Sequence, residues 1–244
     1  MSGLTPPLLV VVPALNEEGS VGDVVREVRA AVPDAVCLVI DDGSTDATAA
    51  AAEGAGAQVL RLPFNIGVGG AMRAGFRYAR DNGYPVVVQV DADGQHDPRD
   101  IPTLLAELRD ADIVIGSRFA GHGTYEARGP RRWAMRVLAA AVSTVARRSL
   151  PDVTSGFKAT GPRAVALFAH TYPAEYLGDT VEALVIAARS GLTIAPVAVA
   201  MRERQAGEPS HHPVRASFYL LRAGVAFLLA LLRPRVPIQE AIAR

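Results

Sequence analysis

The chain has 244 residues, half of them hydrophobic, which suits one large α/β domain or two small ones and excludes intrinsic disorder. Its single cysteine, Cys37, cannot form an internal disulfide, and Met1 to Leu9 carries neither the basic start nor the apolar run of a secretory signal, which predicts a cytoplasmic protein. A formal net charge of zero hides an asymmetry: residues 1–117 hold 8 arginines against 17 acids, residues 118–244 hold 17 bases against 8 acids, and Lys158 is the only lysine. Either the two halves neutralise each other across an interface, or acids of the first half hold a cation while arginines of the second hold phosphates or an anionic membrane surface. The two can hold together.

Apolar runs predict strands at Leu8 to Val12, Val36 to Ile40, Gln58 to Leu62, Val86 to Val90 and Ile113 to Ile115. Their near-continuous Val, Ile and Leu, without strict alternation, predicts strands covered on both faces. Helical patterns fall between them, from about Ser20 to Val32, Asp46 to Gly54, Gly69 to Asp81 and Pro98 to Asp110, with cap signals at Ser20 with Asp23 and at Asp97 before Pro98. Strand and helix in alternation predict a mostly parallel, Rossmann-like sheet flanked by helices. The second half is less regular: a helix over Arg131 to Ser149, a short strand over Gly156 to Thr160, a helix over Thr180 to Arg189, a strand over Leu192 to Val199 and a final helix over Val214 to Leu232. Loops at Ala120 to Pro130 and Arg204 to Pro213 are the expected mobile parts.

Ligands of open α/β sheets collect at the carboxyl ends of strands, so chemistry is sought there. Asp91-Ala92-Asp93 is the sharpest element. Continued extended geometry would set both carboxylates on one side with Gln95 as a third oxygen donor, a hard-oxygen set suited to Mg²⁺ or Mn²⁺ and not to zinc. A surface Asp93-Gly94 hairpin turn is the bland alternative, weakened because a helix start follows. Asp41 and Asp42 can accept hydrogen bonds from a nucleobase or ribose, while Ser44 or Asp46 would cap the next helix. Gly67, Gly69 and Gly70 fail the dinucleotide fingerprint, since Met72 occupies its third glycine; the segment either cradles phosphate or simply turns tightly.

The Pro13-Ala14-Leu15-Asn16-Glu17 run, Asp41 to Asp46, Asn65 to Gly75, Asp91 to His96, Gly116-Ser117-Arg118 and Asp152 to Phe157 together resemble a family 2 glycosyltransferase of the GT-A fold, in the branch of dolichol-phosphate mannosyltransferases and bacterial polyprenyl-phosphate glycosyltransferases. The resemblance implies that Pro13, Asn16, Glu17, Asp41 and Asp42 surround the nucleotide of a GDP- or UDP-sugar, with Gly69, Asp91 and Ala92 on the same ligand. It implies a Mg²⁺ or Mn²⁺ cofactor on Asp91, Asp93 and Gln95. Asp93, Arg118 and Arg131 would serve the transfer, and Arg131, Ser155, Arg204 and Ser210 the acceptor or its phosphate. The family's R-x-x-G-x-S-K loop reads here Arg204 to His211, one residue longer and with histidine for lysine. The implied reaction is inverting, metal-dependent transfer of a hexose to a polyprenyl phosphate, a dianion already nucleophilic. A hydroxyl acceptor, soluble or protein-bound, would instead need a base, for which Asp179 or Glu182 is the candidate unless both merely cap and decorate their helix. A binding module without turnover is the third reading.

His211 and His212 could meet phosphate or simply lie exposed, His96 is expected to be structural, and Arg132 with Trp133 could meet lipid headgroups or anchor a helix. The expected layout is a glycosyltransferase domain over 1–213, split at 117 into nucleotide-binding and acceptor-binding halves, followed by an apolar C-terminal helix and tail over 214–244. Ala223 to Leu232, the uncharged stretch of that helix, is about half the roughly 20 residues a spanning helix needs, so no transmembrane segment is expected. The helix would pack in the core, contact a second copy, or lie on a membrane or a small membrane-protein partner. Peripheral attachment at the cytoplasmic face follows from the last reading, and nucleic acid is not an expected partner.

Overall fold

The computed structural model describes residues 7–117, 130–174, 179–202, 224–225, 227–233 and 237–239, with 130–134 described by backbone alone. Seven strands form one sheet: β1 (Leu8–Ala14), β2 (Val36–Asp41), β3 (Gln58–Arg61), β4 (Val86–Gln89), β5 (Ile113–Ser117), β6 (Lys158–Thr160) and β7 (Ile194–Ala198). Their order is β3-β2-β1-β4-β6-β5-β7, and every pairing is parallel except those of β6, which runs antiparallel to β4 and β5. The helices are α1 (Val21–Ala31), α2 (Thr48–Gly54), α3 (Gly67–Asp81), α4 (Ile101–Glu107), α5 (Pro130–Ala146), α6 (Pro162–Thr171) and α7 (Asp179–Arg189), with a 3₁₀ turn at Pro98–Asp100.

Why the strands read as unbroken apolar runs is visible in the two cores. Leu9, Val11, Leu38, Ile40 and Val87 face the layer of α3, α6 and α7, whereas Val10, Val12, Cys37, Val39 and Val88 face α1 and α4. A strand covered on both sides has no solvated face to alternate toward. In α1, Val21, Val24, Val25 and Val28 repeat at helical spacing and are all buried. Phe76 of α3 meets Phe168 and Tyr172 with ring centroids 5.2 and 5.1 Å apart, locking α3 onto α6.

Several elements depart from the sequence reading. Helix α6 was not anticipated, although Pro162 at its first position and the apolar set Ala164, Val165, Leu167 and Phe168 carry the signal. Helix α3 starts at Gly67 instead of Gly69, α5 ends at Ala146, and β6 starts at Lys158. Ser20 makes no side-chain cap; its hydroxyl instead donates to Glu17 Oε2 at 2.9 Å. Helix α2 has Ala47 at its N-cap, so neither Ser44 nor Asp46 caps it there, but the Asp46 carboxylate accepts from Thr48 N one position on. Asp97 does cap, accepting from Arg99 N. The expected loops at 120–130 and 204–213 lie outside the described residues, apart from Pro130 at the start of α5, as does much of the expected final helix.

Cys37 is enclosed between the sheet and its helices, and burial pushes its thiol up to about 12. Alkylation of the native protein at pH 8 is therefore expected to be undetectable over hours, and one equivalent should react once denaturant is added; mass spectrometry of both samples checks this.

Candidate active site

The β1–α1 and β2–α2 loops are sewn to each other. Asn16, at φ 54°, donates from its backbone to Ser44 Oγ at 3.0 Å and accepts from Thr45 N at 2.9 Å through its side chain. Glu17 N donates to Thr48 Oγ1 and Ala47 N donates to Glu18 Oε2, both at 2.8 Å. Asp41 Oδ1 accepts from Ser44 N, and the buried Asp42 uses one carboxylate oxygen for Ile66 N and the other for Gly67 N, both at 2.8 Å. Asp42 thus fixes the lead into α3, and burial raises its carboxyl against the lowering effect of those two N–H groups. Gly43, at φ 77°, can carry no side chain, because a Cβ would stand 2.8 Å from Asn65 N. Four expected nucleotide residues, Asn16, Glu17, Asp41 and Asp42, therefore share one connected rim with Pro13 at the end of β1.

The Asp91 to Gln95 segment does not continue as extended chain. Strand β4 stops at Gln89, and residues 92–93 turn, with Gly94 at φ 75°. Asp93 Oδ1 accepts from Gln95 N at 3.0 Å, so a turn replaces the expected two-residue alternation, and the chain goes on into the 3₁₀ turn and α4 instead of a hairpin strand. Asp91 is held from several sides. Gln89 Nε2 donates to its Oδ1 at 3.2 Å, its backbone N–H donates to His96 Nδ1 at 3.0 Å, and His96 Nε2 lies 3.6 Å from its Oδ2. Since His96 Nδ1 accepts, the neutral ring carries its proton on Nε2. Buried His96 also stacks on Phe157 at 5.0 Å, which makes it the structural residue expected.

Antiparallel β6 places its amino end at the carboxyl end of β4, with Lys158 opposite Gln89. The Asp152 to Phe157 approach is thereby delivered to Asp91. A Cβ on Gly156 would stand 2.7 Å from Asp91 Oδ2, so only glycine lets the carboxylate sit there. Ser155 is buried, and its hydroxyl accepts from Phe157 N at 3.3 Å. On the facing side a Cβ on Gly69 would meet Pro173 O at 2.4 Å and Asp179 Cβ at 3.0 Å, so close packing against α7 explains this glycine before any phosphate does. Ala92 is buried beneath the turn.

Among the described residues no three His, Cys, Asp or Glu side chains converge as a ready-made metal cluster. The Asp91 to Gln95 segment anchors a second one. Gln95 O accepts from Arg202 N at 2.9 Å, His96 bridges Met201, and the Arg202 guanidinium grips Asp97 at 2.7 Å and also Glu27. The chain that goes on to Arg204 and Ser210 hence leaves from beside the Asp93 turn. Arg118, Arg204, Ser210, His211 and His212 lie outside the described residues. Arg131 falls in the first turn of α5, and neither its side chain nor those of Arg132 and Trp133 are described. Asp97, Gly156 and Arg202 are site-building residues that sequence reading gave no such role, because the contacts that matter, Gly156 to Asp91 and Arg202 to Asp97 and Glu27, join distant parts of the chain.

A mostly parallel seven-stranded sheet flanked by helices, with polar loops and an acidic turn gathered at its carboxyl edge, is a fold of the GT-A type. The family model described as "Glycosyl transferase family 2" matches residues 9–164, and the chain belongs to that family. It is 35% identical over 213 residues, 82% of this chain and 86% of the relative, to an undecaprenyl-phosphate mannosyltransferase of Micrococcus luteus. It is also 35% identical over 168 residues to a polyprenol monophosphomannose synthase of Mycolicibacterium smegmatis, covering 64% of this chain and 62% of that protein. Among solved structures, glucosyl-3-phosphoglycerate synthase of Mycobacterium tuberculosis, in complex with phosphoglyceric acid, superposes with a TM-score of 0.71 at 22% identity, covering 94% of this chain and 81% of that one. The same synthase with Mn²⁺, uridine-diphosphate and phosphoglyceric acid gives 0.68 at 22% identity, covering 94% and 80%. That likeness shows the fold.

Two expectations follow from this geometry. The Arg99 side chain, then its backbone N–H and Arg202, hold the Asp97 carboxyl down at about 2, below its ordinary 3.8. A lowered carboxyl stabilises the fold above its ordinary pKa and loses that contribution as pH falls through about 2. With Arg99 largely exposed and screened, the Asp97→Asn loss is about 1 kcal/mol at pH 7 and vanishes toward pH 2, which denaturant melts across pH will show. Gly156→Ala should displace the Asp91 carboxylate and cut sugar transfer by about 100-fold while the fold survives, read from turnover beside a thermal melt.

Proposed function

We propose that this family 2 glycosyltransferase moves a hexose from a GDP- or UDP-sugar to a polyprenyl phosphate, with inversion and with a divalent ion, Mg²⁺ or Mn²⁺, bound at Asp91, Asp93 and Gln95. The observation that carries the reading is 35% identity along 82% of the chain to a relative whose name gives an undecaprenyl-phosphate acceptor. In this reading the sewn rim of Pro13, Asn16, Glu17, Asp41 and Asp42 seats base and ribose, with Gly69 and Ala92 packed beneath the same ligand. A divalent ion here supplies charge to offset the departing diphosphate. Asp91 and Asp93 orient that charge, and Arg118 adds to it. Arg131 at the start of α5, with Ser155, holds the acceptor phosphate, and Arg204 and Ser210 close over the phosphates from the segment anchored by Arg202. The phosphate acceptor is already anionic, so no side chain has to take its proton.

An acceptor carried by lipid requires a route to the bilayer. No helix among the described residues is long and apolar enough to cross one. In the C-terminal helix Ala230 is fully buried, yet Leu228 and Leu232 are 60% and 81% exposed, with Val225, Leu229 and Leu231 also bare. Arg189 Nη1 donates to Ala230 O and to Arg233 O, which ties this helix to α7. Arg233 itself pairs with Glu182 at 3.0 Å, so it faces inward and attraction to anionic lipid falls to Arg215, Arg222 and Arg235. We assign the bare leucine face to a lipid surface. Because Glu182 is engaged by Arg233, a hydroxyl acceptor would leave Asp179 as the base, and that is the second reading.

A screen of GDP-mannose, UDP-glucose and UDP-N-acetylglucosamine against a short polyprenyl phosphate should give one productive donor. Asp93→Asn should lower its turnover by about 100-fold or more, since a neutral amide replaces a carboxylate facing the diphosphate. Full activity in excess EDTA would sink the metal assignment, and transfer only to a hydroxyl acceptor would favour the second reading. Arg131→Ala should raise KM for the lipid phosphate with nucleotide affinity unchanged. On anionic liposomes the wild type should float, and Leu228→Ser with Leu232→Ser should not; equal flotation of both removes the leucine face from membrane binding.

A further inference from the structure

Lys158 stands apart in a chain that uses arginine at every other basic position. It is 5% exposed, and its Nζ has no hydrogen-bond partner among the described residues. The β6 register sets it opposite Gln89 on one side and Ile115 on the other, on the sheet face covered by α3, α6 and α7. Its ammonium lies 5.9 Å from the Tyr172 ring centroid. The charges of two carboxylates, Asp91 and Asp179, reach it. Asp91 occupies the place left free by Gly156, and Asp179, in the first turn of α7, occupies the place left free by Gly69. Burial pushes the Lys158 ammonium down and the Asp179 carboxyl up, each opposes the other's shift, and Asp91 acts on both.

Like charges on these two carboxylates repel, and the repulsion works against the seat of Asp91 and against the packing of α7. A cation between them removes that repulsion only if it is compact. An ammonium on a flexible stem satisfies this where a planar guanidinium would not fit. We propose that Lys158 is a positioning residue, the shared internal counter-ion of Asp91 and Asp179, which keeps the metal-side carboxylate and the start of α7 together at the carboxyl edge of the sheet. It touches neither substrate nor ion and acts through Asp91. The proposal rests on the divalent-ion reading above, deepens it, and accounts for why the only lysine is buried.

The test is a double-variant cycle on the purified full chain with Lys158→Met, Asp179→Asn and the pair, reading Mn²⁺ affinity by calorimetry without nucleotide and Tm by thermal melt. Lys158→Met is expected to weaken Mn²⁺ by about tenfold, because Asp91 is no longer held. The pair, which removes the repulsion together with the cation, should bind within about threefold of wild type and melt above Lys158→Met alone. Tighter Mn²⁺ in Lys158→Met would show a bare charge effect, and unchanged Mn²⁺ affinity a merely structural lysine; either overturns the proposal, as do strictly additive effects in the pair. If the wild type binds no Mn²⁺, the divalent-ion reading fails by itself and the Tm cycle decides on Lys158, coupling supporting it and additivity overturning it. Should Lys158→Met not fold, Lys158→Gln carries the same expectations.

Discussion

Carboxylates crowd the carboxyl edge of this sheet, and the fold depends on their being occupied by backbone N–H groups. Asp41 takes Ser44 N, Asp42 takes Ile66 N and Gly67 N, Asp46 takes Thr48 N and Glu18 N, Asp93 takes Gln95 N, and Asp97 takes Arg99 N. A carboxylate that accepts such bonds shapes the loop around it. The acid excess of the first half is therefore in large part loop architecture. What it leaves for a ligand is the rim that those loops form.

The antiparallel strand changes the meaning of that rim. Alternation alone would set β5 beside β4, yet β6 separates them and comes from 41 residues further along the chain than Ser117. By running backwards it brings Ser155, Gly156, Phe157 and Lys158 to the tip of β4. Half of what surrounds Asp91 thus belongs to the basic half of the sequence. The two halves meet across Asp91.

Arg202 performs a similar joining from the other side. Through Asp97 and Glu27 it pins the last described residues before 203 to the chain just after the Asp93 turn. At the opposite end Arg189 and Arg233 tie the C-terminal helix to α7, whose first residue is Asp179. The exposed leucines and Asp179 are in this way carried by one helix pair.

Hydrophobic runs and turn chemistry, both local, placed all seven strands to within two residues at most of their ends, identified the mostly parallel sheet, and singled out Asp91, Asp93, Asp41 and Asp42 as the acids of the strand tips. Continuous motifs were enough for the family, because those motifs are written in adjacent residues. The short α6 escaped, as did the turn that replaces extended chain at Asp93, since a strand's length cannot be read where its last residues are polar. What the tertiary structure alone decided is which residues surround Asp91. Gly156 reaches it, with Lys158 opposite its neighbour Gln89, through an antiparallel pairing that lies far along the chain. Pairing partners are chosen by burial and close approach, and neither leaves a periodic mark in sequence.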